Sequence, residues 1–250
     1  MTEAPGQRYE AFGAGYAETR RTEPRIAAYV WRALGEARSV VNVGAGSGSY
    51  EPADLEVIAV EPSRTMASQR AAGRRALIAP AENIPMGDAS VDAAMAIMTI
   101  HHWTDQPGGI TEMRRVARDR VVVLTLDPLN MKEAWTRDYW PGLIEMDHEF
   151  PEPDEIAGWM EGAEISRVPV PSDCTDLYIE TLRGRPELLL DPVVRSNCSG
   201  FARMNDDSEA SGVARLAEDL ASGAWERAHA DARGASEFDG GLRLIVGSAS

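Results

Sequence analysis

Seven runs of apolar residues punctuate the chain: Val40–Val43, Val57–Val60, Ala76–Ala79, Ala93–Met98, Arg120–Leu126, Ile165–Val170 and Leu242–Val246. The first five are continuous rather than alternating, the pattern of strands covered on both faces of a parallel sheet. Between them the apolar positions switch to a helical period. Ile26, Tyr29, Val30 and Leu34 share one face of a predicted helix, capped by Thr22, with Pro24 in its first turn and Gly35 at its end. Asp105 and Pro107 open another, with Ile110, Met113 and Ala117 along one side. Strands alternating with helices predict a doubly wound α/β sheet.

Past Asp127 the pattern changes, and Pro128 to Asp239 is richer in Pro, Trp and acidic residues. The stretch Ser172–Phe238, between the last two runs, is too long for a simple connection and reads as a helical insertion. A helix over Ala210–Trp225 would set Val213, Leu216 and Leu220 on one face. The expected division is a helical cap at 1–36, an α/β core at 37–171, a helical lid at 172–238, and the last strand and tail at 239–250.

Composition narrows the partners. Across 250 residues, 25 basic side chains face 40 acidic ones, a net charge of −15. That balance argues against nucleic acid, whose binding rests on clustered Lys and Arg. No apolar run is long enough to cross a membrane as a helix. The segment Met1–Gln7 is polar, with Pro5 and Gly6, and does not read as a secretion signal. Two cysteines, Cys174 and Cys198, fit a reducing compartment and are too few for a thiolate metal cluster. The expectation is a cytoplasmic protein without a metal; its oligomeric state is left open.

The chemistry-bearing signal begins after the first run, at Gly44-Ala45-Gly46-Ser47-Gly48. A glycine turn there lets backbone approach a ligand with no β-carbon in the way. The sixth position is Ser49, where a dinucleotide fingerprint wants glycine. The second run ends in Glu61-Pro62, and an acid at that strand tip is placed to accept both ribose hydroxyls of an adenosine ligand.

These residues resemble the class I S-adenosylmethionine (SAM)-dependent methyltransferases, and among them the small-molecule branch related to the ubiquinone-type enzymes. VVNVGAGSG is similar to the family's first motif, VIAVEPS to its second, and AENIPMGDASVDAAMAIMTIHHW to the stretch from the adenine contact through strand four. The resemblance implies a Rossmann-like methyltransferase fold, a seven-stranded mostly parallel sheet whose last strand is antiparallel. SAM would be the cofactor and a small molecule the methyl acceptor. It implies that Gly44, Ala45, Gly46 and Gly48 pass under the methionine part of SAM, that Glu61 and Pro62 lie at the ribose, that Ala81 and Glu82 border the adenine, and that Thr99 sits beside the sulfonium. Tyr16 and Arg21 would close over the SAM carboxylate. Three positions depart from the pattern. Asn42 stands where the family has an acid contacting the SAM ammonium, and Pro80 where an acid often meets the adenine. The span from Gly48 to Glu61, holding Pro52, is too short for the usual helix.

For the reaction, His101 and His102 follow strand four, and a histidine there is suited to take a proton near neutral pH, His101 being favoured as nearer the strand end; packing of the loop, or transfer by proximity without a base, is the alternative. Trp135, Tyr139 and Trp140 either wall a substrate pocket or pack a lid. Asp173, Cys174, Asp176 and Tyr178 begin the insertion and could reach the same cleft. Two other readings stay open: a weak or inactive SAM-binding regulatory protein, and an NAD-type oxidoreductase.

Overall fold

A computed structural model describes residues 20–196 and 198–249. Its main sheet comprises β1 (Ser39–Val43), β2 (Glu56–Val60), β3 (Ala76–Leu77), β4 (Val91–Ile97), β5 (Ala117–Leu126), β6 (Glu164–Arg167) and β9 (Leu242–Ser248), in the order β3-β2-β1-β4-β5-β9-β6. Every described pairing among β1 to β5 is parallel, whereas β9 runs antiparallel between β5 and β6. The order reverses between β1 and β4, and in open α/β sheets that is where ligands bind, beyond the carboxyl ends of the strands.

The continuous apolar runs are explained by what covers each face. Val41, Val43, Ala94, Ala96, Val121 and Val123 point to one side, under the helices Gln106–Val116 and Pro153–Gly158 through Ile110, Met113 and Ile156. Their neighbours Val40, Ala93, Met95, Val122 and Leu124 point to the other, under the helix Pro24–Ala33 through Ile26 and Val30. Period-two alternation persists, but both faces are dry. The edge strands are different: β3 is only two residues long and β6 is exposed throughout.

Several predicted boundaries move. Glu23, not Thr22, caps the first helix, accepting from Arg25 N at 3.1 Å; Thr22 Oγ1 instead accepts from Tyr50 N at 3.0 Å. Ala117 leaves the helix after Asp105 and starts β5 directly. The run Ile165–Val170 splits, because Val170–Pro171 (β7) pairs with Glu237–Phe238 (β8) in a separate two-stranded ribbon. No helix stands between β1 and β2 among the described residues, as the short span required.

Residues after β5 build a third apolar cluster apart from the sheet. Trp135, Trp140 and Leu143 meet Leu182, Leu189, Phe201, Leu216 and Trp225 there. Trp135 stands edge-on to Trp225, and Trp140 edge-on to Phe201. Both indoles find backbone acceptors, Trp135 Nε1 on Arg183 O at 2.9 Å and Trp140 Nε1 on Glu209 O at 3.2 Å. Buried rings with satisfied N–H groups are packing elements, so Trp135 and Trp140 hold this cluster together. The long helix there runs Asp206–Ser222, beginning earlier than its apolar stripe because Asn205 caps it and three acids fill its first turn. Gly223, at φ +71°, ends it before Trp225.

Candidate functional site

The loop after β1 is shaped by left-handed backbone at Gly44 (φ +68°), Gly46 (+50°) and Gly48 (+96°). A β-carbon on Gly44 would collide with Thr99 Oγ1 and lie 2.8 Å from Thr99 Cβ, so glycine is what lets the ends of β1 and β4 meet. Across the strand tips opens a cleft of about 910 Å³. Asn42, Gly44, Ala45 and Gly46 form its floor on the β1 side. Glu61 and Pro62 contribute from the end of β2, and Pro80, Ala81 and Glu82 from beyond β3. Met98, Thr99 and His102 complete it after β4. Met98 holds φ +53°, a strained geometry for a side-chain-bearing residue, at the junction of strand and cleft.

The acids at this cleft are braced by backbone. Glu61 Oε2 accepts from Gly46 N and its Oε1 from Ser63 N, both at 2.8 Å, tying the glycine loop to the tip of β2. Glu82 Oε1 accepts from Thr104 N (2.7 Å) and Asp105 N (2.9 Å), clamping the segment after β4.

Two sequence-predicted residues fall elsewhere. Gly48 is turned away from the cleft: a β-carbon there would lie 3.2 Å from Glu51 Oε2 and 3.1 Å from Arg70 Nη1, behind the loop. Arg21 is exposed and off the cleft. Its neighbour Arg20 lines the cleft instead, aimed by a bidentate pair with the buried Asp176, Nε to Oδ1 at 2.6 Å and Nη2 to Oδ2 at 3.4 Å. Tyr50 Oη donates to the same carboxylate at 2.8 Å, and burial, with the Asp176 charge adding, pushes its phenol far above the usual range. Asp176 is thereby committed to positioning rather than to a ligand. Tyr16 lies outside the described residues.

A second pocket of about 630 Å³ shares Arg20, Met98 and His102 with the first. His101 lines this second pocket and not the first, stacked on Phe150 with ring centroids 3.8 Å apart. Leu126, Met131, Met146 and Tyr178 give it apolar walls. Its polar corner is Arg137, which pairs with Asp147 at 2.6 Å and with Glu180 at 3.3 Å, all three side chains under 10% exposed. Burial holds the Glu180 carboxyl above the usual carboxylate range, against the pull of Arg137. Cys198 also borders the pocket, its thiol pushed up to about 12 by burial, which leaves it a packing group rather than a nucleophile.

Comparison with known proteins agrees with this geometry. Residues 41–125 match the family described as "Methyltransferase domain". The chain is similar to a putative methyltransferase from an antibiotic biosynthesis pathway of Anabaena variabilis, with 32% identity over 92% of this chain and 99% of that one and a TM-score of 0.87. Uncharacterized methyltransferases of Mycobacterium tuberculosis and Mycobacterium bovis are 35% identical over 117 residues. That match covers 43% of this chain, and the chain spans about half the length of those curated relatives (48%). A Thermotoga maritima SAM-dependent methyltransferase shares the fold at a TM-score of 0.59, with 17% identity over 98% of this chain and 99% of that one.

Proposed function

The chain belongs to the class I SAM-dependent methyltransferases, and on that premise we propose that it transfers a methyl group from SAM to a small-molecule acceptor held in the second pocket. The observation that carries this reading is the shared wall: one cleft at the strand tips and one pocket under the lid meet at Arg20, Met98 and His102. When bound, SAM supplies a methyl carbon made electrophilic by its sulfonium.

The residues suit the cofactor. Gly44, Ala45 and Gly46 line the end of the cleft that would take the amino-acid part of the ligand. Arg20, held by Asp176, brings a positive charge to the cleft that suits a carboxylate. Lining the same cleft, Asn42 would face the ammonium and Glu61 the ribose hydroxyls, while Pro80, Ala81 and Glu82 would border the adenine. Thr99 marks the end of β4, where the sulfur would lie.

Methyl transfer is an in-line displacement, so placing the acceptor atom supplies much of the acceleration. The insertion over 172–238 is read as the lid that does this placing, since Tyr178, Ile179, Glu180 and Cys198 all line the second pocket. His102, on both pockets, is the residue placed to receive a proton from an oxygen or nitrogen acceptor. His101, stacked on Phe150, forms the acceptor wall. The Anabaena protein's assignment to an antibiotic pathway supports a specialised metabolite as acceptor.

Isothermal titration with S-adenosylhomocysteine (SAH) tests the cofactor half. Folded protein showing no binding at millimolar ligand would sink the proposal. With an acceptor in hand, His102→Ala should lower turnover by about 10²-fold or more with SAH affinity kept. Equal loss of both would make His102 a packing residue.

A further inference from the structure

The departure at Asn42 has a counterpart nine positions along the chain. Asn42 Nδ2 donates to Glu51 Oε1 at 3.0 Å, in a buried contact. Arg70 Nη2 reaches both Glu51 oxygens, at 2.7 and 2.8 Å, and Arg70 Nη1 approaches Gly46 O at 3.4 Å. Arg74 adds a contact to Glu51 Oε2 at 3.4 Å. The Glu51 and Arg70 side chains are only 1% and 2% exposed. Taking such a pair out of water costs several kcal/mol per ion, which a well-packed apolar pair would avoid. Its presence behind a ligand loop therefore asks for a purpose beyond packing.

That purpose follows from the chemistry of an amide. Asn carries an acceptor at one end and a donor at the other, whereas a carboxylate only accepts. Facing Glu51, the Asn42 amide must present Nδ2 to it, which leaves Oδ1 as its cleft-side group. We propose that Glu51 is a positioning residue for the cofactor's amino group: it locks the Asn42 carbonyl toward the cleft, with Arg70 holding the carboxylate in place. The hydrogen bond to Glu51 also draws electron density toward Oδ1, strengthening it as an acceptor for an ammonium.

The neighbouring residues are adapted to this arrangement. Gly48 has no β-carbon to hold Arg70 and Glu51 away. Tyr50, just before Glu51, holds φ +63°, pinned by Thr22 on its N–H and by Trp31 Nε1 on its carbonyl at 2.9 Å. The same geometry explains why an acid is absent at 42. A carboxylate there would be pressed against Glu51 in a buried site, and one of the two would have to take up a proton. Asn42 and Glu51 form a matched set in which the acid has moved one layer back.

The inference rests on the cleft taking the amino-acid end of SAM, and one experiment separates the two ideas. Binding of SAH and of 5′-methylthioadenosine, which keeps the adenosine and sulfur but lacks the ammonium and carboxylate, is measured by calorimetry. The proteins are wild type, E51Q, N42D and N42D/E51Q. E51Q should weaken SAH at least about tenfold, the value of one lost charge-assisted hydrogen bond. Its 5′-methylthioadenosine affinity should stay within about twofold. N42D alone should lose SAH similarly, and N42D/E51Q, which exchanges amide and acid, should regain most of it. Retained 5′-methylthioadenosine binding shows that each variant is folded. The proposal is overturned if E51Q binds SAH like wild type, if both ligands weaken together, or if the double variant is no better than the singles. Wild type binding neither ligand would overturn the cofactor reading as well.

Discussion

Gly44→Ala is the substitution whose cost the structure specifies most fully. Two penalties add. At φ +68° a residue with a β-carbon sits in the left-handed region, at about 1–2 kcal/mol. The new methyl would also overlap Thr99, and rotation about χ1 gives no relief because Thr99 Cβ itself lies 2.8 Å away. Overpacking of this kind costs about 1–3 kcal/mol. The sum, about 2–5 kcal/mol, corresponds to a melting point lowered by about 4–20 °C for a domain of this size. Scanning calorimetry of Gly44→Ala beside Gly87→Ala measures it, since Gly87 has ordinary φ and open space around its absent β-carbon. The control should be neutral or gain up to about 1 kcal/mol. Adding Thr99→Gly to Gly44→Ala should recover the steric part and leave the backbone part. A Gly44→Ala protein melting within about 2 °C of wild type would refute the close approach of β1 and β4.

Further outcomes follow from the third apolar cluster and from buried titratable groups. Gly212→Ala lies inside a helix, where alanine ordinarily gains about 1 kcal/mol, yet its β-carbon would sit 2.5 Å from Trp140 Cδ1. Urea unfolding should show a net loss, and a gain would mean that the Trp140 contact is misread. The Glu23 carboxyl is held down from its ordinary 4.5 to about 2, first by the Arg25 guanidinium and further by Thr175, against burial. A depressed carboxylate stabilises above its unfolded pKa and loses that contribution as pH falls through the folded value. The stability gap between wild type and Glu23→Gln should thus be full near pH 7 and shrink from about pH 5 towards pH 2; a gap independent of pH would count against the pairing. Both thiols are pushed up to about 12, chiefly by burial, so Ellman's reagent should find neither until the protein is unfolded. Prompt reaction of native protein would contradict the packing around them.

What the chain reveals on inspection depends on the range of the interaction. The core strands could be read because burial on both faces removes the polar alternation from Val40–Val43 and Ala93–Ile97. The glycine loop and Glu61 could be read because the chemistry and its signal are local. Arg20 escaped because two adjacent arginines look alike until Asp176, 156 residues on, selects one of them. Glu51 left no periodic mark: its partners lie nine and 19 residues away, one on β1 and one in the turn before β3. The β7–β8 ribbon was hidden for a simpler reason, since two-residue strands, one of them holding a proline, fall below any pattern length.

That ribbon bears on how such a chain can change over generations. Val170 pairs with Phe238, Pro171 with Glu237, and Ser172 N still reaches Ser236 O at 3.0 Å. The insertion therefore leaves and re-enters the scaffold side by side, at adjacent rungs of one ladder. With its ends fixed together, doubling its length would add only about 0.6 kcal/mol of closure entropy. Segments between Ser172 and Ser236 can lengthen, shorten or be exchanged without re-threading the sheet. The clasp makes the stretch it closes a replaceable cassette, while the main sheet, stitched by contacts between many strands, stays as it is.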